Sequence, residues 1–256
     1  MRILAFDTSS NACSVALLDG EAHNFSCTGR FKMAPRQHTQ LILPMIDEVL
    51  DEAGYSIKQV DVLAFGRGPG AFTGVRVATG VVQAIAYGAD LPVAQISSLA
   101  AIAQGVYSAQ VKCAIDVEPI ANILVANDAR MDEIYCAAYE MKAGFMNLIN
   151  TEEVMKPELF KGARDVKLSQ MTPSSSQVDK AWLCAGNAWS IYAKQLASLA
   201  KQCILKADID LEKFSYPDAQ YIAYLAFKEI QDDSLVDAAQ ASPVYLRNNV
   251  AKKAKK

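Results

Sequence analysis

The chain has 256 residues, of which 52% are hydrophobic and 21% charged, so it holds ample apolar material for one large domain or two smaller ones. Its net charge of −3 argues against a protein that grips nucleic acid over a broad basic face. No apolar run reaches the ~20 residues of a membrane span and no signal peptide precedes Arg2, so we expect a cytoplasmic protein with no membrane contact. Its six cysteines form no C-x-x-C pair and are expected to be core thiols.

The opening of the chain predicts three strands. Residues 2–6 form an apolar strand, residues 12–18 a second and residues 21–28 a third. Asp19-Gly20, between the second and the third, is a strong hairpin-turn signal. The sequence therefore predicts a small antiparallel sheet at the start of the fold.

The first strand ends in a polar turn that begins with Asp7. Three antiparallel strands with an Asp closing the first are typical of actin-like domains, in which this Asp and its turn face a nucleotide's phosphates and metal. Here Ser9 and Ser10 stand where nucleotide-binding versions usually carry a glycine. The alternative is a turn whose side chains satisfy their own backbone, and an active phosphate loop is not favoured.

Residues 36–53 predict an amphipathic helix. Apolar residues including Leu41 and Met45 recur at helical spacing, acidic residues occupy the other side, and Gly54 ends the helix. Pro44 either kinks this helix or marks the first turn of its main segment. His38, near its start, is expected to act as a cap or to face solvent.

A glycine-rich stretch over residues 66–76 follows an apolar strand at 60–65 and opens onto a second helix. It is not a Walker A loop, because Gly74 is followed by Val75 and Arg76 rather than by Lys and Ser or Thr. Its glycines are also wrongly spaced for a dinucleotide fingerprint. We interpret it as a rigid strand-to-helix turn, with Thr73 as the expected helix cap, rather than as a phosphate site.

The helix after this turn, residues 74–88, carries only one charged residue, Arg76. A helix that is apolar on nearly every face is normally buried, either in a core or against a partner. Its small residues, among them Ala78 and Gly80, would let another helix approach closely. A tryptophan at either position is expected to block that approach and leave the fold mostly intact.

Four further strands are predicted, at residues 92–96, 123–128, 133–139 and 182–185. Three further helices are predicted, at residues 97–107 with Ser97 or Ser98 as cap, 187–200 and 218–231. Signals between 143 and 180 are weak, 171–177 is expected to be a surface loop, and 243–249 an extended ending. The turn at 129–132 with its Asp128 echoes the opening hairpin, which indicates a duplicated fold.

Two histidines, His23 and His38, cannot form an H-E-x-x-H metal site. Asp7, Asp116 and Asp128 could form a carboxylate cluster if the two halves face each other, but strand-end aspartates are commonly plain turn residues. No catalytic, metal-binding or cofactor-binding residue is predicted from these patterns.

Five segments together resemble the TsaB (YeaZ) family: residues 3–9, 36–45, 66–76, 128–135 and 243–250. The similarity is dense over residues 1–105 and returns in short blocks at 123–141 and 243–250. It implies an α/β actin-like (ASKHA, ribonuclease-H-like duplicated) fold. The expected division is an N-terminal subdomain at 1–105, a C-terminal subdomain at 106–250 and a Lys-rich tail at 251–256.

The resemblance also implies a role in making threonylcarbamoyladenosine beside the anticodon of tRNAs that read codons starting with A. In this family TsaD carries the metal and transfers the group, TsaE is an ATPase, and TsaB is the non-catalytic partner that TsaD needs. Pairing with TsaD is expected through the N-terminal helices, and a homodimer could use the same surface. The interface residues expected on this chain are Leu41, Met45, Gly70, Thr73, Val75, Ala78, Thr79 and Val82.

Two other function classes stay open at this point. An autonomous nucleotide-dependent phosphotransferase or ATPase would use Asp7 and Asp128 around Mg²⁺. A protease has little support, because no nucleophile, base or metal set can be assembled. Contact with tRNA is expected to be indirect at most, or to run through the Lys-rich tail.

Overall fold

The computed structural model describes residues 1–22, 24–113, 120–162, 182–201, 203 and 214–247. Predictions for His23, Asp116, the loop at 171–177 and the tail at 251–256 fall outside these residues, as do residues 248–250 of the extended ending. The described part of the chain contains two mixed β-sheets and six α-helices.

The first sheet has the order β3-β2-β1-β4-β5. Its strands are β1 (Arg2–Asp7), β2 (Ala12–Glu21), β3 (Asn24–Met33), β4 (Val62–Gly66) and β5 (Val93–Ile96). Strands β1 to β3 are antiparallel, whereas β4 and β5 run parallel to β1. The three opening strands that the sequence predicts are confirmed.

The second sheet repeats the start of the first. Its strands are β6 (Asn122–Arg130), β7 (Glu133–Lys142), β8 (Phe145–Leu148), β9 (Glu153–Met155) and β10 (Trp182–Ala185), in the order β10-β6-β7-β8 with β9 also paired to β7. Like β1, β6 is antiparallel to the strand that follows it and parallel to the strand on its other side. This repetition confirms the duplicated, actin-like α/β fold.

The helices form three layers around the two sheets. They are α1 (His38–Ala53), α2 (Phe72–Ala89), α3 (Ser98–Cys113), α4 (Ala188–Ile191), α5 (Ala193–Ala200) and α6 (Ala219–Gln231), with short 3₁₀ turns at Ile57–Gln59, Pro157–Leu159 and Ala238–Gln240. Helices α1 and α2 cover the outer face of the first sheet, α4 and α5 cover the outer face of the second, and α3 and α6 lie between the sheets.

Successive side chains of each strand point to opposite faces of the sheet, and this alternation produces the layers. On β1, Ile3 and Ala5 point into the central core with α3 and α6, whereas Leu4 and Phe6 point outward to α1 and α2. A side chain the size of Phe6 stabilises the fold by about 1.5–3 kcal/mol when it is fully buried. Strand β6 alternates in the same way between the central core and the layer of α4 and α5.

The two central helices pack across the halves of the chain. Helix α6, although late in the sequence, packs on β1, β2, β4 and β5, and α3 packs on β6, β7 and β8. Residue 105, the expected end of the N-terminal subdomain, lies inside α3. The division into 1–105 and 106–250 therefore remains a prediction, and one continuous core joins the two sheets.

The predicted end of α1 and the predicted cap of α3 are confirmed. Gly54 ends α1 in the left-handed conformation at φ 75°, and its amide donates to the carbonyls of Leu50 and Asp51. Pro44 lies inside α1. Ser97 caps α3, since its hydroxyl oxygen accepts from the amides of Leu99 at 3.1 Å and Ala100 at 3.2 Å.

The predicted hairpin turn at Asp19-Gly20 is wrong. Both residues lie inside β2 and pair with β3, at Ser26 and Phe25, so the chain reverses after Glu21. Tertiary contacts hold Asp19 extended: its carboxylate accepts from the Tyr55 hydroxyl at 2.6 Å. A local turn signal cannot report such a distant partner.

Three other local predictions are corrected. Helix α2 begins at Phe72, before Thr73, because the glycine-rich turn fixes its start: the Ala71 amide donates to the Ser9 carbonyl at 2.6 Å. The helix expected at 187–200 breaks at Tyr192, whose hydroxyl donates to Asp128 Oδ1 at 2.9 Å. Cys27, expected in a core, is exposed because β3 is an edge strand.

Candidate functional site

A cleft of about 970 Å³ lies where strand ends of both sheets meet. The carboxyl ends of parallel strands are the usual place for a ligand site in such sheets. Its walls include the turn after β1, the segment that leads into α1, the glycine-rich turn before α2, the end of β6 with its following turn, and the C-terminal segment 244–247. It is therefore the first place to look for function.

Asp7, at the end of β1, has both carboxylate oxygens occupied by hydrogen bonds from within the chain. Its Oδ1 accepts from the Ser9 amide and the Ser9 hydroxyl, both at 2.8 Å. Its Oδ2 accepts from the Ser98 hydroxyl at 2.9 Å and again from Ser9 at 3.0 Å. A side chain at Gly66 would overlap Oδ2, so the carboxylate is also covered from the side of β4.

Burial raises the pKa of Asp7 to about 6, because desolvation disfavours the charged form more than the bonds from Ser9 and Ser98 favour it. Only 1% of the residue is exposed. The negative charge of Asp218, the N-cap of α6, raises it further. A carboxylate in this setting holds the turn after β1 together through its bonds from Ser9 and Ser98.

The glycine-rich turn packs its backbone directly onto the turn after β1. A side chain at Gly70 would overlap the Ser9 carbonyl, and one at Gly74 would overlap the Thr8 carbonyl. The Thr8 hydroxyl donates to the Gly74 carbonyl at 2.7 Å. The turn's glycines thus allow close approach of two backbones, which confirms the rigid-turn interpretation.

The equivalent place in the second sheet is occupied by Asn127, not by Asp128. On β1 the central-core residues Ile3 and Ala5 precede Asp7, and on β6 Ile123 and Val125 precede Asn127. Its Oδ1 accepts from the Asn187 amide at 3.1 Å, and Asn187 in turn accepts from the Asp128 amide at 2.8 Å. The second half therefore presents an amide where a paired-carboxylate metal site needs an acid.

Asp128 lies on the opposite face of β6. Its Oδ1 accepts from the Tyr192 hydroxyl and, at 2.9 Å, from the Arg130 amide, so it closes the β6–β7 turn. Nothing in this arrangement favours the alternative in which Asp7 and Asp128 hold Mg²⁺, since the described partners of both carboxylates come from the chain itself. Within the described residues, no group of three or more His, Cys, Asp or Glu side chains could hold a metal ion.

Arginines form the charged part of the cleft wall. Arg36, Arg76, Arg130 and Arg247 all line it, and Asp128 is the one acidic residue among its described lining residues. The guanidinium of Arg76 stacks between two rings, 3.5 Å from the Phe72 centroid and 5.4 Å from the Tyr245 centroid. Composition did not indicate this concentration, because these residues are far apart in the sequence.

His38 also lines the cleft, but it neither caps α1 nor faces solvent freely. Its ring Nε2 lies 3.2 Å from the Ala12 carbonyl oxygen, and the residue is half-buried in the first turn of α1. The predicted role as a cap is wrong, since Gln37 occupies the N-cap position.

The C-terminal segment ties the two halves together across the cleft. The Val244 amide donates to the Arg67 carbonyl at 2.8 Å. Farther along, Arg247 forms an ion pair with Glu133 and donates to the carbonyls of Ala129 at 3.1 Å and Arg130 at 3.2 Å. We call residues 241–247 the C-terminal strap.

Five of the eight expected interface residues are buried inside this chain. Met45, Val75, Ala78, Thr79 and Val82 lie between the first sheet and helices α1 and α2 and are at most 6% exposed. Leu41 and Gly70 are half-buried, and Thr73 is exposed. The interface remains a prediction, and in this chain these five side chains pack against its own core, beneath the surface that a partner would contact.

The exposed face of α2 is made of other residues. Phe72 is 50% exposed and Tyr87 86% exposed, and the positions between them include Gly80 and Ala84. A side chain at Gly80 would meet nothing within 4 Å. The sequence of residues 74–88 could not separate this face from the buried one, because Arg76, which is exposed, is the one charged residue on either face.

Fold and cleft together define an actin-like protein whose strand-end aspartates serve its own structure. A family model described as TsaD, tRNA N6-adenosine threonylcarbamoyltransferase, matches residues 32–255. The tRNA threonylcarbamoyladenosine biosynthesis protein TsaB of Escherichia coli K12 is 35% identical over 252 residues, covering 98% of this chain and 96% of that protein. The TsaB protein of Haemophilus influenzae Rd is 37% identical over 254 residues, covering 98% and 95%.

Among solved structures, YeaZ from Pseudomonas aeruginosa superposes with a TM-score of 0.73 at 36% identity, covering 96% of this chain and 99% of that one. A second structure from that organism, described as an uncharacterized protein with similarity to peptidase YEAZ, gives the same values. The chain belongs to the TsaB (YeaZ) family. Across the described residues, no helix has the length and apolar character to cross a membrane.

Proposed function

We propose that this chain is a non-catalytic subunit in the biosynthesis of threonylcarbamoyladenosine in tRNA, acting in the cytoplasm. Relatives at 35% and 37% identity over nearly their whole length carry threonylcarbamoyladenosine biosynthesis in tRNA in their names. The observation that carries the non-catalytic part is Asp7, whose two oxygens are held by Ser9 and Ser98. The residue that an actin-like enzyme would direct at a metal is used here to build the turn.

The partner that fits this role is the transferase TsaD, with TsaE joining the complex. The exposed face of α2 supports such pairing, because beyond Arg76 near its start it carries no charge, is narrow at Gly80 and Ala84, and has the exposed rings of Phe72 and Tyr87 at its ends. Small residues let a partner helix approach closely, and aromatic anchors beside them supply buried area. The same face would serve a homodimer when TsaD is absent.

Replacing Gly80 with tryptophan tests this face. The side chain points into open space, so the free chain should fold normally, whereas a close helix packing would be blocked. Ala197→Trp is the matched control, since Ala197 is also exposed but lies on α5 at the far side of the second sheet. We expect at least a tenfold loss of affinity for TsaD with Gly80→Trp and none with Ala197→Trp in calorimetric titration. Ala78→Trp is unsuitable because Ala78 is fully buried.

The function itself is tested by reconstitution. Purified TsaD, TsaE, unmodified tRNA and a supply of threonylcarbamoyl-adenylate are combined with and without this chain, and modified adenosine is measured by mass spectrometry. We expect modification only when the chain is present, and no ATP hydrolysis by the chain alone. Modification that proceeds equally well without it, or ATP turnover by the chain alone, would contradict the proposal and favour a phosphotransferase.

A further inference from the structure

The rim of the cleft carries positive charge that is not paired with any carboxylate in the described part of the chain. Arg36 and Arg130 are exposed, and neither makes an ion pair with any described residue. They come from opposite walls, Arg36 from the segment before α1 and Arg130 from the end of β6. Both hold a positive φ, 66° and 61°, which is uncommon for residues other than glycine.

A third guanidinium, that of Arg76, is already oriented. It is stacked on Phe72, and its Nε donates to the Tyr245 hydroxyl at 2.8 Å, so the stack fixes the plane of the group. Phe72 and Tyr245 are 50% and 43% exposed at the same rim. Arginine forks suit phosphate oxygens, and exposed aromatic faces suit unstacked bases.

The positions of these groups favour a polymer over a small anion. Arg36, Arg76 and Arg130 are exposed at the mouth, Arg247 is half-buried in its ion pair with Glu133, and buried neutral side chains such as Ser9 and Ser98 line the inside. The place that a phosphate would take beside the first strand is filled by the backbone of Gly70 and Gly74. A ligand that meets this site would therefore lie across the mouth and not inside the turn.

We propose that the rim formed by Arg36, Arg76 and Arg130 binds the sugar-phosphate backbone of a single-stranded RNA segment, with Phe72 and Tyr245 as stacking surfaces. The inference rests on the proposed function, which makes a tRNA loop the relevant RNA. The whole chain has a net charge of −3, so the rim stands out as a local positive surface on a negatively charged protein. This contrast orients the RNA toward the cleft. The rim shares Phe72 and Arg76 with the exposed face of α2, whereas Arg36 and Arg130 lie outside that helix, and binding at the rim depends on charge.

Binding of an unmodified tRNA transcript that reads a codon starting with A tests this, using fluorescence anisotropy with the chain alone and in complex with TsaD. The variant combines Arg36→Glu with Arg130→Glu, two residues outside α2. The matched control is Lys194→Glu, an exposed cation on α5. Circular dichroism and complex formation with TsaD establish that each variant is folded.

We expect the double variant to weaken tRNA binding at least tenfold at 0.1 M salt, and the slope of log affinity against log salt to fall by about 2. Lys194→Glu should change affinity less than twofold. Unchanged binding by the double variant, or an equal loss with Lys194→Glu, would overturn the inference. So would displacement of tRNA by millimolar ATP with the same arginine dependence, because that outcome identifies a nucleotide site.

Failure of this inference is distinguishable from failure of the proposed function. If reconstituted modification needs the chain but the double variant binds tRNA normally, only the RNA surface is wrong. If modification does not need the chain, the proposed function fails, whatever the arginines bind.

Discussion

Replacing Asp7 with asparagine should stabilise the protein at neutral pH. The pKa of Asp7 is raised from an ordinary 3.8 to about 6 by burial, so holding it ionised at pH 7 costs about 3 kcal/mol, at ~1.36 kcal/mol for each pKa unit. Asparagine keeps the shape of the side chain without the charge. The hydrogen bonds that Ser9 and Ser98 make to a neutral amide are weaker, which lowers the stability of the variant by about 1 kcal/mol. The net stabilisation by Asp7→Asn is therefore about 2 kcal/mol.

The sign of the pH dependence follows from the direction of that shift. Because the folded pKa is the higher one, the native state binds the extra proton, and the stabilisation from Asp7 is fully present below pH 3.8 and lost as the pH rises through about 6. The wild-type protein should therefore lose stability relative to Asp7→Asn across this window. Above pH 7 the difference should be constant.

Urea unfolding of both proteins between pH 4 and pH 8 measures this difference, followed by circular dichroism. Subtracting one curve from the other isolates Asp7 from the other carboxylates. Glu158→Gln, at an exposed position, should change stability by less than about 0.5 kcal/mol at every pH. A loss of stability with Asp7→Asn at pH 7, or a difference that does not vary with pH, would refute the reasoning. The variant should also retain full support of tRNA modification, since Asp7 is assigned no chemistry.

Two further perturbations test the cleft. Gly74→Ala should lower the free energy of unfolding by about 3 kcal/mol, because the added methyl group overlaps the Thr8 carbonyl. Gly80→Ala should raise it by about 0.5–1 kcal/mol through helix propensity. Urea unfolding compares the two variants, and equal effects would contradict the close packing of the turn. Arg247→Ala should lower the free energy of unfolding by about 1–2 kcal/mol, because Glu133 and two backbone carbonyls lose their hydrogen-bond donor. Amide hydrogen exchange in the β6–β7 turn should become faster. Unchanged exchange would show that the C-terminal strap does not hold that turn.

The sequence was informative where one short segment decides the outcome. Gly54 ends α1 because only its own backbone must adopt the left-handed conformation, and the Ser97 hydroxyl caps α3 by accepting from the amides two and three positions after it. Short strands such as β8 and β9 were missed, because three or four residues carry too little periodicity.

The cleft depended on tertiary pairing and was predicted less well. Asp128 looked like the counterpart of Asp7, yet the alternation of β6 places Asn127 on the equivalent face. Arg36 and Arg130 are separated by nearly a hundred positions, so their convergence follows only from the duplicated fold. The buried and exposed faces of α2 differ by a single charge, that of Arg76, so the sequence did not resolve the interface side chains.

The placement of α6 has a consequence for the growing chain. Domains generally fold from the N-terminus during synthesis, and exposed apolar surface on an incomplete domain favours aggregation. Strands β1, β2, β4 and β5 are complete once residue 96 has been made, but the helix that covers their inner face ends at Gln231. On the ribosome, the inner face of this sheet therefore stays uncovered while more than a hundred further residues are translated. An intermediate of this kind is a natural substrate for a cellular holdase.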